Sequence, residues 1–267
     1  MFSSIEVFSK GKNPTRNEDF HGSNDNTIIV ADGSTDKSGG SYIFDGKEMT
    51  GGEIVSRLIV SICLEADLTG IELSKTLNSR IHDCYKELAP RALQETIFRF
   101  SAFFVCAKII ASNLVITQIG DVSYRVNGVE LHEDYKEIDL ANAKLRAEYI
   151  KKHPDDVEGG RKEILKNLKQ QFEYQNNPTH QFGYGAIDGT STPEKFIRVQ
   201  VLPLNDVQIL EIWSDGYFRV ADESTIESWE KSYKIVENED PDKYLRYLST
   251  KSSDDRTILI ARMFSAR

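Results

Sequence analysis

The sequence predicts an α+β protein in which antiparallel strands and helices occupy separate layers. Three observations support this fold class. Short apolar or β-branched runs that suit strands recur along the chain, while two amphipathic helical patterns fall together between residues 52 and 88. The dipeptide Asn127-Gly128 between two such runs is a strong signal for a type I′ hairpin, which joins antiparallel strands. Strands and helices that do not alternate favour an antiparallel sheet with segregated helices.

The first third of the chain predicts two strands and then two helices. Residues 5–9 alternate as a strand, Pro14 keeps 10–16 irregular, and 27–31 form a buried strand. Residues 33–50 are polar and Gly-rich, and they show no periodicity. A helix is expected from Gly52, because Thr50 and Glu53 have the spacing of a capping box. A second helix covers 71–88 and ends before Pro90.

The remainder of the chain predicts further strands around a charged helical segment. Asn127-Gly128 is expected to join strands at 122–126 and 129–131, which places Gly120-Asp121 at a tight connection. The helical segment is interrupted at Pro154 and Gly159-Gly160. In chain order we expect strands at 97–110 and 114–119, helix at 136–174, a loop at 176–192, strands at 195–202 and 207–213, helices at 224–231 and 242–248, and a strand at 257–261.

Composition narrows the function classes. The 267 residues, 39% of them hydrophobic, can bury a full core in one domain spanning 1–267. A net charge of -9 argues against nucleic-acid binding, which needs a basic face. No secretory leader and no membrane-spanning run of about 18 apolar residues is found, so we expect a soluble cytoplasmic protein. The three cysteines have no metal-binding spacing and are expected to be buried, and the oligomeric state is left open.

Four short acidic clusters lie beside the predicted strands. A strand end fixes a side chain better than a mobile loop does, so carboxylates from several strand ends can converge on one hard cation. Mg²⁺ and Mn²⁺ prefer such oxygen ligands. The clusters are Glu18-Asp19, Asp32-Gly33, Asp215-Gly216 and Asp254-Asp255.

These motifs, in this order, resemble the metal-dependent protein phosphatase (PPM) family, the type 2C serine/threonine phosphatases. An Asp-Gly pair after an apolar run is common in turns and is weak evidence alone. The sequence E-D, V-x-D-G, G-G-E before a helix, I-G-D, S-D-G and D-D-x-T, running from Glu18 to Thr257, is far less common. The resemblance implies a four-layer α-β-β-α sandwich, with two antiparallel sheets packed face to face, helices outside, and metals at one edge.

The resemblance also implies a set of site residues. Asp32 corresponds to the carboxylate that bridges two cations about 4 Å apart, and Asp32 and Asp215 are expected to be catalytic. In some relatives Asp121 and Asp215 hold a weaker third metal. Each of these acidic residues, taken alone, also suits a turn or a solvated loop. The implied cofactors are two Mn²⁺ or Mg²⁺ ions, and the implied metal-binding residues are Glu18, Asp19, Asp32, Gly33, Asp121, Asp215 and Asp254.

Three positions depart from the family pattern. Pro14 stands where many relatives have the Arg that binds the substrate phosphate, so Arg16 is expected to take that role, with Lys12 as the alternative. Ser34 stands where some relatives have a His that acts as general acid. The stretch 34–50 is longer than usual and is expected to lie over the metal site.

The function implied by the resemblance is hydrolysis of phosphoserine and phosphothreonine by a metal-bridging hydroxide. The partner would be a phosphoprotein substrate, and a flap-like segment near 136–192 would help to select it. Two alternatives stay open. One is a catalytically degenerate PPM-fold module that only binds or regulates partners, and the other is a hydrolase of a small phosphoester.

Overall fold

Two five-stranded antiparallel sheets form the centre of the fold in the computed structural model, which describes residues 2–34 and 38–264. The first sheet contains, in spatial order, β1 (Phe2–Lys10), β12 (Arg256–Met263), β11 (Ile209–Trp213), β8 (Ser123–Val126) and β9 (Glu130–His132). The second contains β10 (Arg198–Pro203), β7 (Asn113–Ile119), β6 (Ala102–Ile110), β3 (Thr27–Gly33) and β2 (Asp19–Ser23). A small hairpin of β4 (Tyr42–Phe44) and β5 (Lys47–Met49) lies apart from both.

Strand β3 shows how the layers are built. Ile28 and Val30 point into the core between the sheets, whereas Ile29 and Ala31 point into the core under the helices. All seven residues of the strand are buried. A strand that is buried on both faces needs a continuous apolar run rather than alternation, which is the pattern that the sequence shows.

The outer layers are helical. Helices α1 (Gly51–Glu65) and α2 (Gly70–Leu88) cover the second sheet, and the predicted capping box of Thr50 and Glu53 is present at the start of α1. Helix α6 (Ile226–Glu239) covers the first sheet through the fully buried Trp229. The expected four-layer α-β-β-α sandwich is therefore confirmed.

The segment between β9 and β10 carries three short helices, α3 (Glu137–Lys152), α4 (Val157–Glu163) and α5 (Leu165–Gln170). The break expected at Gly159-Gly160 is wrong, because both glycines lie inside α4. The Asp156 carboxylate caps this helix by accepting a hydrogen bond of 2.9 Å from Gly159 N. The chain is interrupted before that cap, near Pro154, as predicted.

Other boundaries differ from expectation for local reasons. The strand expected at 97–110 begins at Ala102, after a 3₁₀ turn over 96–98. The helix expected at 242–248 is absent, because the Asp240 carboxylate accepts backbone hydrogen bonds from residues 244–247 and replaces the helical pattern. Helix α6 is longer than the expected 224–231, and β2, β4 and β5 were not predicted. No helix of the described part of the chain has the length and apolarity to cross a membrane.

The hairpin prediction is confirmed, although Val126 pairs with Glu130, so that Val129 belongs to the loop and not to the strand. Asn127 and Gly128 have φ values of 53° and 71°, the left-handed pair that a type I′ turn requires. The turn joins β8 to β9. Gly120 also has a positive φ, 79°, and a side chain there would collide with the Phe103 ring, so Asp121 lies at the tight connection that the sequence predicted.

Candidate functional site

Acidic side chains from four strands meet at one end of the sandwich. Asp19 begins β2 and is paired directly with Asp32 near the end of β3. Asp215 follows the end of β11, and Asp254 precedes the start of β12, the strand that pairs with β11. The two sheets thus bring together carboxylates that are far apart in the sequence.

Ser214 connects the two sheets at this point. Its hydroxyl donates a hydrogen bond of 2.6 Å to Asp19 Oδ2 and accepts one of 2.9 Å from Thr257 N. The backbone N–H of Ser214 donates to the Thr257 carbonyl at 3.0 Å. Since Ser214 is fully buried, these bonds fix Asp19 relative to the strands that carry Asp215 and Asp254. The sequence analysis gave Ser214 no such role.

Two glycines let helix α1 approach the end of β3. A Cβ on Gly33 would lie 2.4 Å from the Gly52 carbonyl oxygen, and one on Gly52 would lie 2.8 Å from Glu18 Oε1. Glu18 Oε1 also accepts a hydrogen bond of 2.8 Å from the Thr50 hydroxyl. The predicted G-G-E motif therefore starts α1 against the site, with Glu18 and Gly33 beside it.

Asp121 reaches the cluster from the connection between β7 and β8. Its Oδ2 pairs with Lys136 Nζ at 2.9 Å. Arg125, four residues further along the chain, forms a bidentate pair with the buried Glu211 at 2.6 and 2.7 Å. Asp121 is consequently left with a lysine partner from the start of α3.

Burial and mutual repulsion perturb the carboxyl pKa values. Burial, reinforced by Asp255 and Asp254, raises the pKa of Asp19 to about 7 although Ser214 and Thr257 oppose the rise. The pKa of Asp32 is raised well above its usual value by burial and then by Asp215. The pKa of Asp215 is raised by burial and then by Asp254. Among the described residues, this end of the fold therefore carries more negative than positive charge.

Three lysines contact the cluster, and the sequence analysis considered only Lys12. The Nζ of Lys12 lies 3.0 Å from Glu18 Oε2, 3.1 Å from Asp255 Oδ2 and 3.8 Å from Asp254 Oδ1. Lys251 pairs with Asp254 Oδ2. Burial alone would raise the pKa of Asp254, but Lys251 and Lys12 together hold it below its usual value. Nothing local marks Lys251 or Lys136 in the sequence except proximity to an acidic motif.

Among the described residues, two cavities each border several of the carboxylates. The first, which we term the Asp32 cavity, has a volume of about 260 Å³ and is lined by Asp32, Asp121, Asp215, Lys136 and Lys251. Residues of α3, α4 and α5 form part of its wall. The second, the Glu18 cavity, has a volume of about 360 Å³ and is lined by Lys12, Arg16, Glu18, Thr50 and Asp255.

The proposed phosphate-binding Arg16 lies at the Glu18 cavity. Its side chain is 40% exposed, and its Nη2 lies 3.8 Å from Glu48 Oε1. Residues 39–41 and 48, which belong to the long segment 34–50, line the same cavity. Residues 35–37 of that segment lie outside the described residues. Ser34 lines the Asp32 cavity.

Asp255, which the sequence analysis left without a metal bond, has a structural role. Its Oδ1 accepts a hydrogen bond of 2.7 Å from Lys12 N, and its Oδ2 accepts one of 3.1 Å from Glu18 N. These bonds hold the 12–18 loop against the start of β12. Asp255 thereby positions Glu18 beside Gly33.

The donor set fits a hard divalent cation. The lining of both cavities contains carboxylates and no histidine or cysteine. The buried Oδ1 atoms of Asp19 and Asp121 have no hydrogen-bond partner among the described residues. Within 2–34 and 38–264, however, no three ligand side chains are already drawn together closely enough to hold a metal ion. Lys12, Lys136 and Lys251 hold several of these oxygens instead.

Several solved structures with the same fold are bacterial phosphatases. No family model and no curated protein matches the sequence. A bacterial serine phosphatase superposes with a TM-score of 0.55 at 15% identity, over 100% of both chains. Stp1 from Staphylococcus aureus, a serine/threonine phosphatase, gives 0.53 at 16% identity over 99% of this chain and 96% of its own. PstP/Ppp from Mycobacterium tuberculosis gives 0.51 at 15% identity over 97% and 98%. At these identities the similarity confirms the resemblance at the level of the fold.

Proposed function

We propose that this chain is a metal-dependent phosphomonoester hydrolase that acts on phosphoserine and phosphothreonine in proteins. One observation carries the proposal. Asp19, Asp32, Asp215 and Asp254 converge at one end of a sandwich whose fold is shared with bacterial serine/threonine phosphatases, and Asp19 and Asp32 are buried. Buried carboxylates without matching positive charge suit divalent cations, and divalent cations suit phosphoester hydrolysis.

The acidic residues of the cluster would have distinct roles in binding the metal ions. Asp32, Asp215 and Asp254 would hold Mn²⁺ or Mg²⁺, because they lie at the meeting point of both sheets. Asp19 and Glu18 would add oxygens from the β2 side. Such ions would activate a water molecule for attack on phosphorus and would offset charge on the phosphate. The Gly33 carbonyl and Asp121 complete the set proposed from the sequence.

The phosphate also needs a cation from the chain. Arg16 keeps a partly exposed guanidinium at the Glu18 cavity, whereas Lys12 is engaged by three carboxylates. An incoming phosphate would have to compete with those carboxylates for Lys12. Arg16 also offers two parallel donors. We therefore retain Arg16 as the phosphate-binding residue.

The flap-like segment near 136–192 would shape substrate entry. Asp139 and Leu140 of α3, Arg161 of α4 and Leu168 of α5 line the Asp32 cavity opposite the carboxylates. This wall combines charge with apolar surface, as a surface that receives a peptide chain requires.

The experiment is phosphate release from a phosphothreonine peptide, measured with and without Mn²⁺. The wild-type protein should turn over only with metal, and Asp32→Asn should lower turnover at least a hundredfold. Asp83→Asn is the matched control, because Asp83 is an exposed carboxylate on α2. A wild-type protein that binds Mn²⁺ but releases no phosphate from phosphopeptides would overturn the proposal.

A non-catalytic binding module is the second candidate, and one observation favours it. Lysines already pair with Glu18, Asp121 and Asp254, and these pairs offset part of the negative charge without metal. Calorimetric titration with Mn²⁺ separates the two candidates. A module of this kind would bind no Mn²⁺, and the D32N variant would behave like the wild type.

The size and lining of the Asp32 cavity also suit a small phosphoester as a substrate. Aromatic side chains, among them Phe103, Tyr184 and Tyr217, line a volume of about 260 Å³. The comparison is kcat/KM for phosphopeptides against kcat/KM for p-nitrophenyl phosphate and sugar phosphates. Preference for a small ester by more than tenfold would replace the protein substrate with a small one.

A further inference from the structure

The ammonium group of Lys251 lies inside the carboxylate cluster. Lys251 pairs with Asp254 Oδ2 and lines the Asp32 cavity together with Asp32 and Asp215. Its side chain is 28% exposed. The proposed function assigns Asp32, Asp215 and Asp254 to the metal site. The positive charge of Lys251 therefore lies where a metal cation would bind.

Hydrogen bonds from two arginines fix the backbone on both sides of Lys251. Arg146 of α3, 1% exposed, donates hydrogen bonds to the carbonyl of Ser249 at 3.2 Å and to the hydroxyl of Ser252 at 2.7 Å. Arg161 of α4 donates to the carbonyl of Thr250 at 2.8 Å. The residues on both sides of Lys251 are therefore held by arginines from the helical segment. A lysine on a loose surface loop would have no such constraint.

We propose that Lys251 is the resident counter-ion of the carboxylate cluster, and that a divalent cation binds only by displacing its ammonium group from Asp254. Lys251 thereby sets the metal affinity of the site. This inference rests on the proposed function, since it takes the same carboxylates as metal ligands.

Charge balance supports the displacement. Lys251 contributes a positive charge at the place where Asp254, Asp215 and Asp32 contribute negative ones, and it contacts Asp254 directly. The Asp19 side chain is 3% exposed. Its Oδ1 has no hydrogen-bond partner among the described residues. One lysine thus satisfies part of the cluster and leaves acceptor capacity for an added cation. Like charges repel strongly at short range, so the lysine and the metal compete.

The test is the dissociation constant for Mn²⁺, measured by calorimetry in the absence of substrate. Lys251→Gln removes the charge and should bind Mn²⁺ at least tenfold more tightly than the wild type. Lys251→Arg keeps the charge and should bind within threefold of the wild type, or more weakly. Lys86→Gln is the matched control, because Lys86 forms an exposed pair with Asp83 at the same three-residue separation. It should not change the affinity.

The outcomes separate this inference from the proposed function. Tighter binding by K251Q supports the inference whether or not either protein hydrolyses phosphoesters. Unchanged or weaker binding by K251Q, with measurable binding by the wild type, overturns the inference and leaves the proposed function standing. Failure of both proteins to bind Mn²⁺ overturns the two together.

A second measurement applies if K251Q does not fold. The wild-type protein is reductively methylated with ¹³C-formaldehyde, and the Lys251 methyl resonance is assigned by its loss in K251R. Titration with the diamagnetic Mg²⁺ should shift this resonance along the binding isotherm. A Lys251 resonance that stays fixed while Mg²⁺ saturates the protein rules out displacement.

Discussion

Replacing Asp19 with Asn should stabilise the metal-free protein at alkaline pH. Asp19 is 3% exposed, and its Oδ2 accepts the Ser214 hydrogen bond while its Oδ1 has no partner among the described residues. An Asn side chain has nearly the same shape, and its carbonyl oxygen can accept the same bond from Ser214. The substitution therefore removes a buried negative charge with little change in packing.

The size of the effect follows from the pKa of Asp19. Burial is the main cause of its rise from 3.8 to about 7 in the folded protein. Between these values the folded state keeps a proton that the unfolded state has lost, so the free energy of unfolding falls as the pH rises from about 4 to about 7. Above both values the loss is about 4 kcal/mol at most, since each pKa unit corresponds to about 1.4 kcal/mol. Asp19→Asn should recover about 2–4 kcal/mol at pH 8 and close to nothing at pH 4.

The assay is urea unfolding in EDTA at pH 4.5, 6 and 8, for the wild type, D19N and the surface control D83N. The D19N advantage should grow steadily with pH, whereas D83N should follow the wild type. Addition of Mn²⁺ at pH 8 should stabilise the wild type more than D19N, because a cation that binds only the folded state stabilises it by mass action. A wild-type stability that does not fall between pH 4.5 and 8, with D19N no more stable at pH 8, would show that Asp19 carries no unbalanced charge.

Four further outcomes are expected. Asp215→Asn should abolish phosphopeptide turnover while circular dichroism shows an intact fold, and retained turnover would remove Asp215 from the site. Activity should vanish in EDTA and return with Mn²⁺ or Mg²⁺ but poorly with Zn²⁺, since the donors are hard oxygens; full activity in chelator would contradict this. Arg16→Ala should raise KM by a factor equivalent to about 1.5–3 kcal/mol, the usual value for a hydrogen bond to a charged group, and should do so more than Lys12→Ala; steady-state kinetics at saturating Mn²⁺ would expose the reverse order. Arg125→Met should lower the free energy of unfolding by about 3–5 kcal/mol, because it leaves Glu211 charged and buried without its ion-pair partner; a loss below about 1 kcal/mol in urea unfolding would show that this pair matters little.

Local signals in the sequence predicted the parts of the fold that depend on short-range geometry. Thr50 and Glu53 lie within one helical turn, and Asn127-Gly128 supplies the backbone angles of its own turn. The backbone conformation at these positions is therefore determined by residues that are close in the sequence. The acidic motifs were informative for another reason, since each lies beside a strand end and strand ends meet at the edge of a sheet.

Contacts between distant residues were not predictable in the same way. Lys251 pairs with an aspartate three residues away, yet its place in the Asp32 cavity depends on Arg146 and Arg161, about a hundred residues earlier. Ser214 looked like part of a turn, and only the docking of the two sheets brings it to Asp19. Asp240 replaced an expected helix with side-chain hydrogen bonds, which helix propensity does not represent. Strand β2 lies at a sheet edge and lacks the apolar alternation that would have marked it.

The division of the acidic cluster between the two ends of the chain has a consequence for biosynthesis. Asp19 and Asp32 leave the ribosome before Asp215 and Asp254, because they precede them in the sequence. The first sheet also forms late, because β1 pairs with β12 and stays unpaired until β12 has been synthesised. Until Asp215 and Asp254 have been synthesised, Asp19 and Asp32 therefore lack the carboxylates beside which they lie in the folded protein. A nascent chain that stalls before residue 215 would carry Asp19 and Asp32 without Asp215 and Asp254, so the acidic cluster of the folded protein could not form.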